Sequence, residues 1–206
     1  MLADPPDPVA ARAADGFEIV AMAASAGGLK ALTGVLAALP ADFPAALVVV
    51  QHLDPRHRSL MAEILGRRTA LGVRQAAEGD RVRPGNVFIA PPDRHLLVNP
   101  DGELSLTRTE LVHFSRPSAD LLFESVAASY RSRAIGVILS GTGSDGTMGA
   151  KAIKKMGGTL IVQEPETAEF SGMPAAARQT GLADFVLPLG EIAGALQTLL
   201  AERPAT

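Results

Sequence analysis

Residues 134–163 read AIGVILSGTGSDGTMGAKAIKKMGGTLIVQ, and this stretch decides the fold class. Ala134–Ser140 is an apolar run predicted as a buried strand. A glycine-rich loop comes next, then a helix over Thr147–Lys155 and a second strand over Thr159–Gln163. Strand and helix alternating at this spacing point to a mainly parallel sheet with helices on both faces. The alternation continues outward. Upstream, Phe17–Ala23 is a short apolar strand, Gly27-Gly28 opens a helix running to Leu39 and stopped by Pro40, and Ala46–Gln51 is a strand centred on Val48-Val49-Val50. Ser59–Arg68 places Leu60, Met61, Ile64 and Leu65 on one helix face, with Ser59 as its N-cap. Downstream, Pro174–Thr180 reads as helix, Asp184–Leu187 as strand and Glu191–Ala201 as the last helix.

The middle of the chain is different. Val73–Ala76, Val87–Ala90, His95–Val98 and Leu104–Arg108 are short strand candidates. Asn99-Pro100-Asp101-Gly102 is a turn signal that makes the last two a hairpin, expected as an antiparallel addition at one edge. Ser118 is placed to cap a helix running to Tyr130, with Asp120 in its first turn. The expected fold is therefore α/β: a doubly wound, mainly parallel sheet with helices on both faces and an antiparallel hairpin insertion. One domain is expected over 17–202, preceded by a frayed Ala/Pro-rich segment at 1–16.

The 206 residues are enough for one sizeable core, and 47% hydrophobic with 20% charged residues fits a globular chain. A net charge of −3, 4% aromatics and no Trp argue against nucleic-acid binding. The absence of cysteine excludes disulfides, thiolate metal sites and a cysteine nucleophile. The chain start lacks the basic and apolar regions of a signal peptide, and no run approaches the roughly 18 apolar residues that span a bilayer. A cytoplasmic protein that is not membrane-embedded is expected.

In open parallel sheets, ligands bind beyond the carboxyl ends of the strands. The residues just past each strand are therefore informative. Ser25-Ala26-Gly27-Gly28 comes after the first strand, His52 after the second, and Gly141-Thr142-Gly143-Ser144-Asp145-Gly146 after Ala134–Ser140. A hydroxyl, an imidazole and a carboxylate thus reach one rim. Ser25 lies on a strand-to-helix turn near backbone N–H groups suited to an oxyanion. It is read as a nucleophile, or more plainly as a helix cap. His52 is a candidate general base, or a histidine bonded at a strand end. Asp145 would orient the imidazole, or simply occupy a glycine-rich turn. His57, His95 and His113 are less naturally placed at the rim.

A rival reading uses the same loop. Gly141, Gly143 and Gly146 match Gly-x-Gly-x-x-Gly between a strand and a helix, with Glu164 and Glu166 about 20 residues on, the outline of a dinucleotide fingerprint. Asp145 inside the loop would repel a pyrophosphate, and Ser25 and His52 would go unexplained. No histidine pair has metal-ligand spacing on one helix face. Arg56, Arg58, Arg67 and Arg68 form a basic region, either a solvated helix face or a docking surface for an acidic partner.

At Ala24–Gly28, Val50-Gln51-His52, Ile89-Ala90-Pro91-Pro92, Arg116-Pro117-Ser118, Leu139–Gly146 and Gly172-Met173-Pro174 the sequence resembles the catalytic domain of chemotaxis protein-glutamate methylesterases, the CheB family. The pieces occur in the family's order and cover about residues 17 to 200. The resemblance implies a serine hydrolase that converts glutamate γ-methyl esters to glutamate and methanol without a cofactor or metal. Deamidation of receptor glutamine is an accompanying activity in the family. It implies Ser25 as nucleophile, His52 as base and Asp145 as orienting acid. The backbone oxyanion contacts would fall at Ala26 and Thr142, and the substrate would lie along Gly27, Gly28, Gly141, Gly143 and Met173. The implied partner is the methylated cytoplasmic helical region of a chemoreceptor-like protein. Ala23, Ala26 and Thr142 stand where the family often has Gly, Thr and Met. Many members also carry a receiver domain, for which residues 1–16 are too few, so the chain is expected to be either a stand-alone form or a fragment of a larger protein, and the partners considered include a separate regulator or fused signalling domains. A receptor-binding protein without hydrolysis remains the other alternative.

Overall fold

The computed structural model describes residues 17–52, 59–111 and 115–202. The segment 1–16, His57, His113, Arg56 and Arg58 lie outside them. The sheet is built outward from β1 (Glu18–Ala24), whose last six residues are buried. A strand buried on both faces has no polar side to alternate, which is why Ile19 to Ala24 reads as one apolar run. Beside it lie β2 (Ala45–Gln51), β4 (Asn86–Ile89) and β3 (Gly72–Gln75) on one side, and β7 (Ala134–Ile138), β8 (Thr159–Gln163) and β9 (Phe185–Leu187) on the other. The order is β3-β4-β2-β1-β7-β8-β9, and every pairing is parallel.

Helices cover both faces. Even-numbered β1 residues Val20, Met22 and Ala24 meet α1 (Gly28–Ala37), α2 (Met61–Gly66) and α6 (Leu189–Ala201). Odd-numbered Ile19, Ala21 and Ala23 meet α3 (Ala119–Tyr130), α4 (Thr147–Lys155) and α5 (Gly172–Gln179). Each aliphatic side chain removed from water in these two layers contributes about 1.5–3 kcal/mol against chain entropy.

The hairpin departs from expectation. β5 (His95–Val98) and β6 (Leu104–Thr107) form a separate two-stranded sheet and do not extend an edge of the main one. Leu96, Val98 and Leu104 are buried with the α3 face of the core. Their apolar positions are satisfied by burial on that layer, not by pairing with an edge strand. Ser125 Oγ accepts from the Val98 N–H at 3.0 Å and ties the hairpin to α3. Smaller differences lie at element ends. α5 begins at Gly172, two residues before Pro174, because proline is tolerated anywhere in a first turn that needs no internal N–H bond.

Candidate active site

The connection from β1 to β2 runs to one side of the sheet, and β7 returns on the other. The carboxyl ends of β1, β2 and β7 therefore meet at a topological switch point, where an open parallel sheet leaves a crevice. Register brings the first two candidate residues together. Ala24 pairs with Gln51, so Ser25 and His52 are the next residues on adjacent strands, and the His52 N–H donates to Ala24 O at 3.1 Å. On the other side, the Ser25 N–H donates to Ser140 O at 3.0 Å. Strand alternation gives Ser25 and His52 the parity of Ala23 and Val50, which face the α3 layer.

Asp145 reaches the same place from the β7–α4 loop. Its Oδ2 lies 2.8 Å from His52 Nε2, with the His52 side chain 19% exposed and Asp145 5%. The carboxylate is seated on the N-terminus of α3. It accepts from the Ala119 N–H at 2.7 Å, the Asp120 N–H at 3.0 Å and the Ser118 hydroxyl at 3.0 Å, and also from the Gly146 N–H at 3.0 Å. Burial alone would push this carboxyl up. The hydrogen bond from His52 and those from the Ala119 and Asp120 N–H groups outweigh it and hold the pKa below the usual carboxylate value. Asp145 is thus an anion, and an anion only accepts. Nε2 of His52 must carry the ring proton it shares with Asp145, which leaves Nδ1 as the basic nitrogen of the neutral ring. Ser25 Oγ and the His52 ring share no hydrogen bond. Bonds of this kind often tighten only once substrate is seated.

The oxyanion candidates are open. Neither the Ala26 nor the Thr142 N–H donates to another group among the described residues. Gly27, at φ 72° in the left-handed region, turns the chain from Ser25 into α1. Gly141 is where the loops come closest: a Cβ there would overlap the Met173 sulfur and lie 2.9 Å from Ser25 Cβ. Met173 itself is buried, so it forms a floor behind Gly141. Gly28 is also internal, because the space of its missing side chain is filled by the Gln51 amide. Gly143 is exposed, and a side chain there would meet nothing within 4 Å of its Cβ. The Phe170–Pro174 loop is anchored to this wall by Gly141 N–H to Phe170 O at 3.0 Å and Met173 N–H to Gly141 O at 2.9 Å.

Several contributing residues carried no role in the sequence. Gln51 donates from Nε2 to Ser25 O at 2.7 Å and His52 O at 3.0 Å, tying the two strand ends. Ser140 Oγ donates to Ala26 O at 2.8 Å and accepts from the Phe170 N–H at 3.0 Å. His95 is buried: Nδ1 accepts from the Ser118 N–H at 3.2 Å and Nε2–H donates to Glu110 O at 3.0 Å. Arg116 binds Asp93 Oδ1 through Nε at 2.9 Å and so joins the segments around Pro92 and Pro117. Gln51, Ser140 and Arg116 lie in stretches that the resemblance singled out, the one sequence signal pointing to them; Ser118 is in addition the expected cap of α3, and its hydroxyl accepts from the Leu121 N–H.

The dinucleotide reading loses its footing in this geometry. At the head of α4 the Gly146 N–H is already taken by the Asp145 carboxylate, which would face a pyrophosphate. Glu166 pairs with Arg178 Nη1 at 3.0 Å. Among the described residues no group of three or more His, Asp or Glu side chains could hold a metal ion. Nor is any helix among them long and apolar enough to cross a membrane.

The family model described as CheB methylesterase matches residues 20–196. The chain belongs to the CheB methylesterase family. It is 43% identical over 189 residues to a protein-glutamate methylesterase/protein-glutamine glutaminase of Moorella thermoacetica, covering 90% of this chain and 45% of that protein. A Burkholderia lata protein named protein-glutamate methylesterase/protein-glutamine glutaminase 1 is 45% identical over 190 residues, covering 92% of this chain and 57% of its own length. The chain thus spans about half the length of these two curated relatives. The crystal structure of the Thermotoga maritima CheB methylesterase catalytic domain superposes with a TM-score of 0.86 at 38% identity, covering 89% of this chain and 98% of that one. The CheB fold is therefore shared over nearly the whole catalytic domain, and the crevice described above is where it brings Ser25, His52 and Asp145 together.

Proposed function

We propose that the protein is a serine hydrolase that removes γ-methyl esters from glutamyl side chains of a chemoreceptor-like protein in the cytoplasm. The observation that carries this reading is the Asp145-bonded His52 on the strand end beside Ser25. Nδ1 of His52 takes the Ser25 proton as Oγ attacks the ester carbonyl. The Ala26 and Thr142 N–H groups receive the oxyanion, each contributing about 3–4 kcal/mol to transition-state stabilisation. The imidazolium, held by Asp145, protonates the departing methoxide, and methanol leaves. Water then attacks the glutamyl-enzyme with His52 again as base, releasing glutamate and restoring Ser25. Glutamine deamidation takes the same course with ammonia as the leaving group, in keeping with the relatives' second name.

The substrate is the methylated helical region of the receptor. A purely binding role would not need a buried carboxylate seated on a helix N-terminus and bonded to one imidazole. Mass spectrometry of a carboxyl-methylated receptor fragment tests the reaction: incubation with the protein converts methyl-glutamyl peptides to glutamyl peptides. Unchanged peptides under conditions where the protein is folded would contradict it.

A further inference from the structure

A groove of about 720 Å³ runs from Ser25 between α1 and α2. Its walls are unlike the rest of the site. Leu29 and Ile64 face it from the two helices at 38% and 40% exposure, over a floor that includes the buried Met61. Two cations also line it, Lys30 and Arg68. Lys30 lies 3.9 Å from Glu169, the acidic residue of the lining, and is partly offset by it. The Arg68 guanidinium has no acidic partner among the described residues, and Arg67 beside it is likewise exposed and unpaired among them. The groove thus offers paired aliphatic contacts and an unneutralised positive charge, continuous with the candidate nucleophile.

We propose that this groove docks the acidic helical segment that carries the scissile glutamyl ester, with Arg68 binding a carboxylate on a neighbouring turn. The proposal rests on the hydrolase reading for the choice of occupant. Its own support is complementarity. A helix is about 10–12 Å across and repeats a face every three to four residues. With one ester side chain at Ser25, the residues one and two turns away on that face lie along the groove. Aliphatic side chains there would cover Leu29 and Ile64, and a glutamate would meet Arg68. A polypeptide with several methylatable glutamates becomes more acidic as each ester is removed, so its affinity for this groove rises with demethylation. The ion pair is solvent-accessible, which makes its main signature a salt-dependent affinity.

The test uses the full chain carrying Ser25→Ala, so that binding is read without turnover. The probe is a fluorescein-labelled helical peptide with leucine and glutamate on one face and glutamine at the ester position, titrated by fluorescence anisotropy. Adding Arg68→Glu is expected to weaken binding at least tenfold, and Ile64→Asp similarly. Arg83→Glu, the same charge change on an exposed residue that does not line the groove, should leave it unchanged. Rising salt should erase the difference between Arg68→Glu and Arg83→Glu. No saturable binding in the Ser25→Ala background, or equal binding by the two charge variants, overturns the proposal. Sedimentation at increasing concentration reads the rival occupant, a second copy of the chain: a dimer lost on Arg68→Glu with peptide binding intact also overturns it. Failure of wild-type hydrolysis alongside a loss of binding in Arg68→Glu would defeat the hydrolase reading and leave the docking groove standing.

Discussion

His52 Nε2 and Asp145 Oδ2 are 2.8 Å apart although 93 residues separate them in the chain. The contact spans the central strand: His52 follows β2 on one side of β1, and Asp145 comes after β7 on the other. The N-terminus of α3 makes this possible. It supplies three donors, the Ser118 hydroxyl and the Ala119 and Asp120 N–H groups, that hold the carboxylate under the imidazole.

Asp145→Asn keeps the shape of the side chain but can donate to Nε2, favouring the tautomer with its proton on Nδ1. Turnover of a methylated fragment should fall by about 10³–10⁴-fold with little change in KM. Acid stability gives a second readout. The folded pKa of Asp145 lies below its unfolded value, so unfolding takes up a proton in acid. The stabilisation is complete above the unfolded value of about 4 and is lost as pH falls through the lower folded value. Denaturant titrations from neutral pH into this window should therefore show a shallower acid limb for Asp145→Asn than for wild type.

Gly141 and Gly143 make opposite demands. At Gly141 an added methyl meets the Met173 sulfur and Ser25 Cβ, so Gly141→Ala should displace Ser25 and cut kcat about a hundredfold or more. Gly143 has φ 82° and open space around it. Gly143→Ala should cost only about 1–2 kcal/mol of backbone strain, read as a lower denaturation midpoint, with the active-site walls in place.

Gln51→Leu removes both bonds from Nε2 and leaves the Ser25 and His52 carbonyls without that donor. A loss of about 1–3 kcal/mol in stability is expected. The slackened turn should also lower kcat by about tenfold or more, because the carbonyls belong to the proposed nucleophile and base. Unchanged kinetics with a lowered midpoint would make Gln51 a stability residue alone.

His95 is a positioning residue, acting through Ser118 on Asp145. His95→Leu removes the acceptor for the Ser118 N–H, whereas His95→Asn offers an amide oxygen near the place of Nδ1. Both variants should be less stable. Only the asparagine variant should recover kcat, with KM for a methylated fragment similar in the two. Equal kcat values at equal folded fractions would leave His95 with a packing role.

The central sheet was legible because doubly buried strands announce themselves as apolar runs, as in Val48-Val49-Val50. Among the helices between them, α1 and α4 follow the left-handed Gly27 and Gly146, and α3 follows its capping Ser118. The hairpin around Asn99–Gly102 was visible, but its position was not. Alternation gives the face a strand buries, not the partner that covers it, and here the cover is α3. Ser25, His52 and Asp145 could be gathered at one rim because each comes after a strand. Gln51, Ser118 and His95 could not be given their parts this way. Their roles are hydrogen bonds to groups 23 to 27 residues distant, and a sequence period carries no information about such contacts.

The most direct test of the mechanism is methanol release from a carboxyl-methylated receptor cytoplasmic fragment by wild type and by Ser25→Ala, with folding of both checked by circular dichroism. Release by the wild type, reduced to the uncatalysed rate in Ser25→Ala, is the predicted result. Equal release by the two proteins would contradict Ser25 as the nucleophile, and with it the roles built on His52 and Asp145.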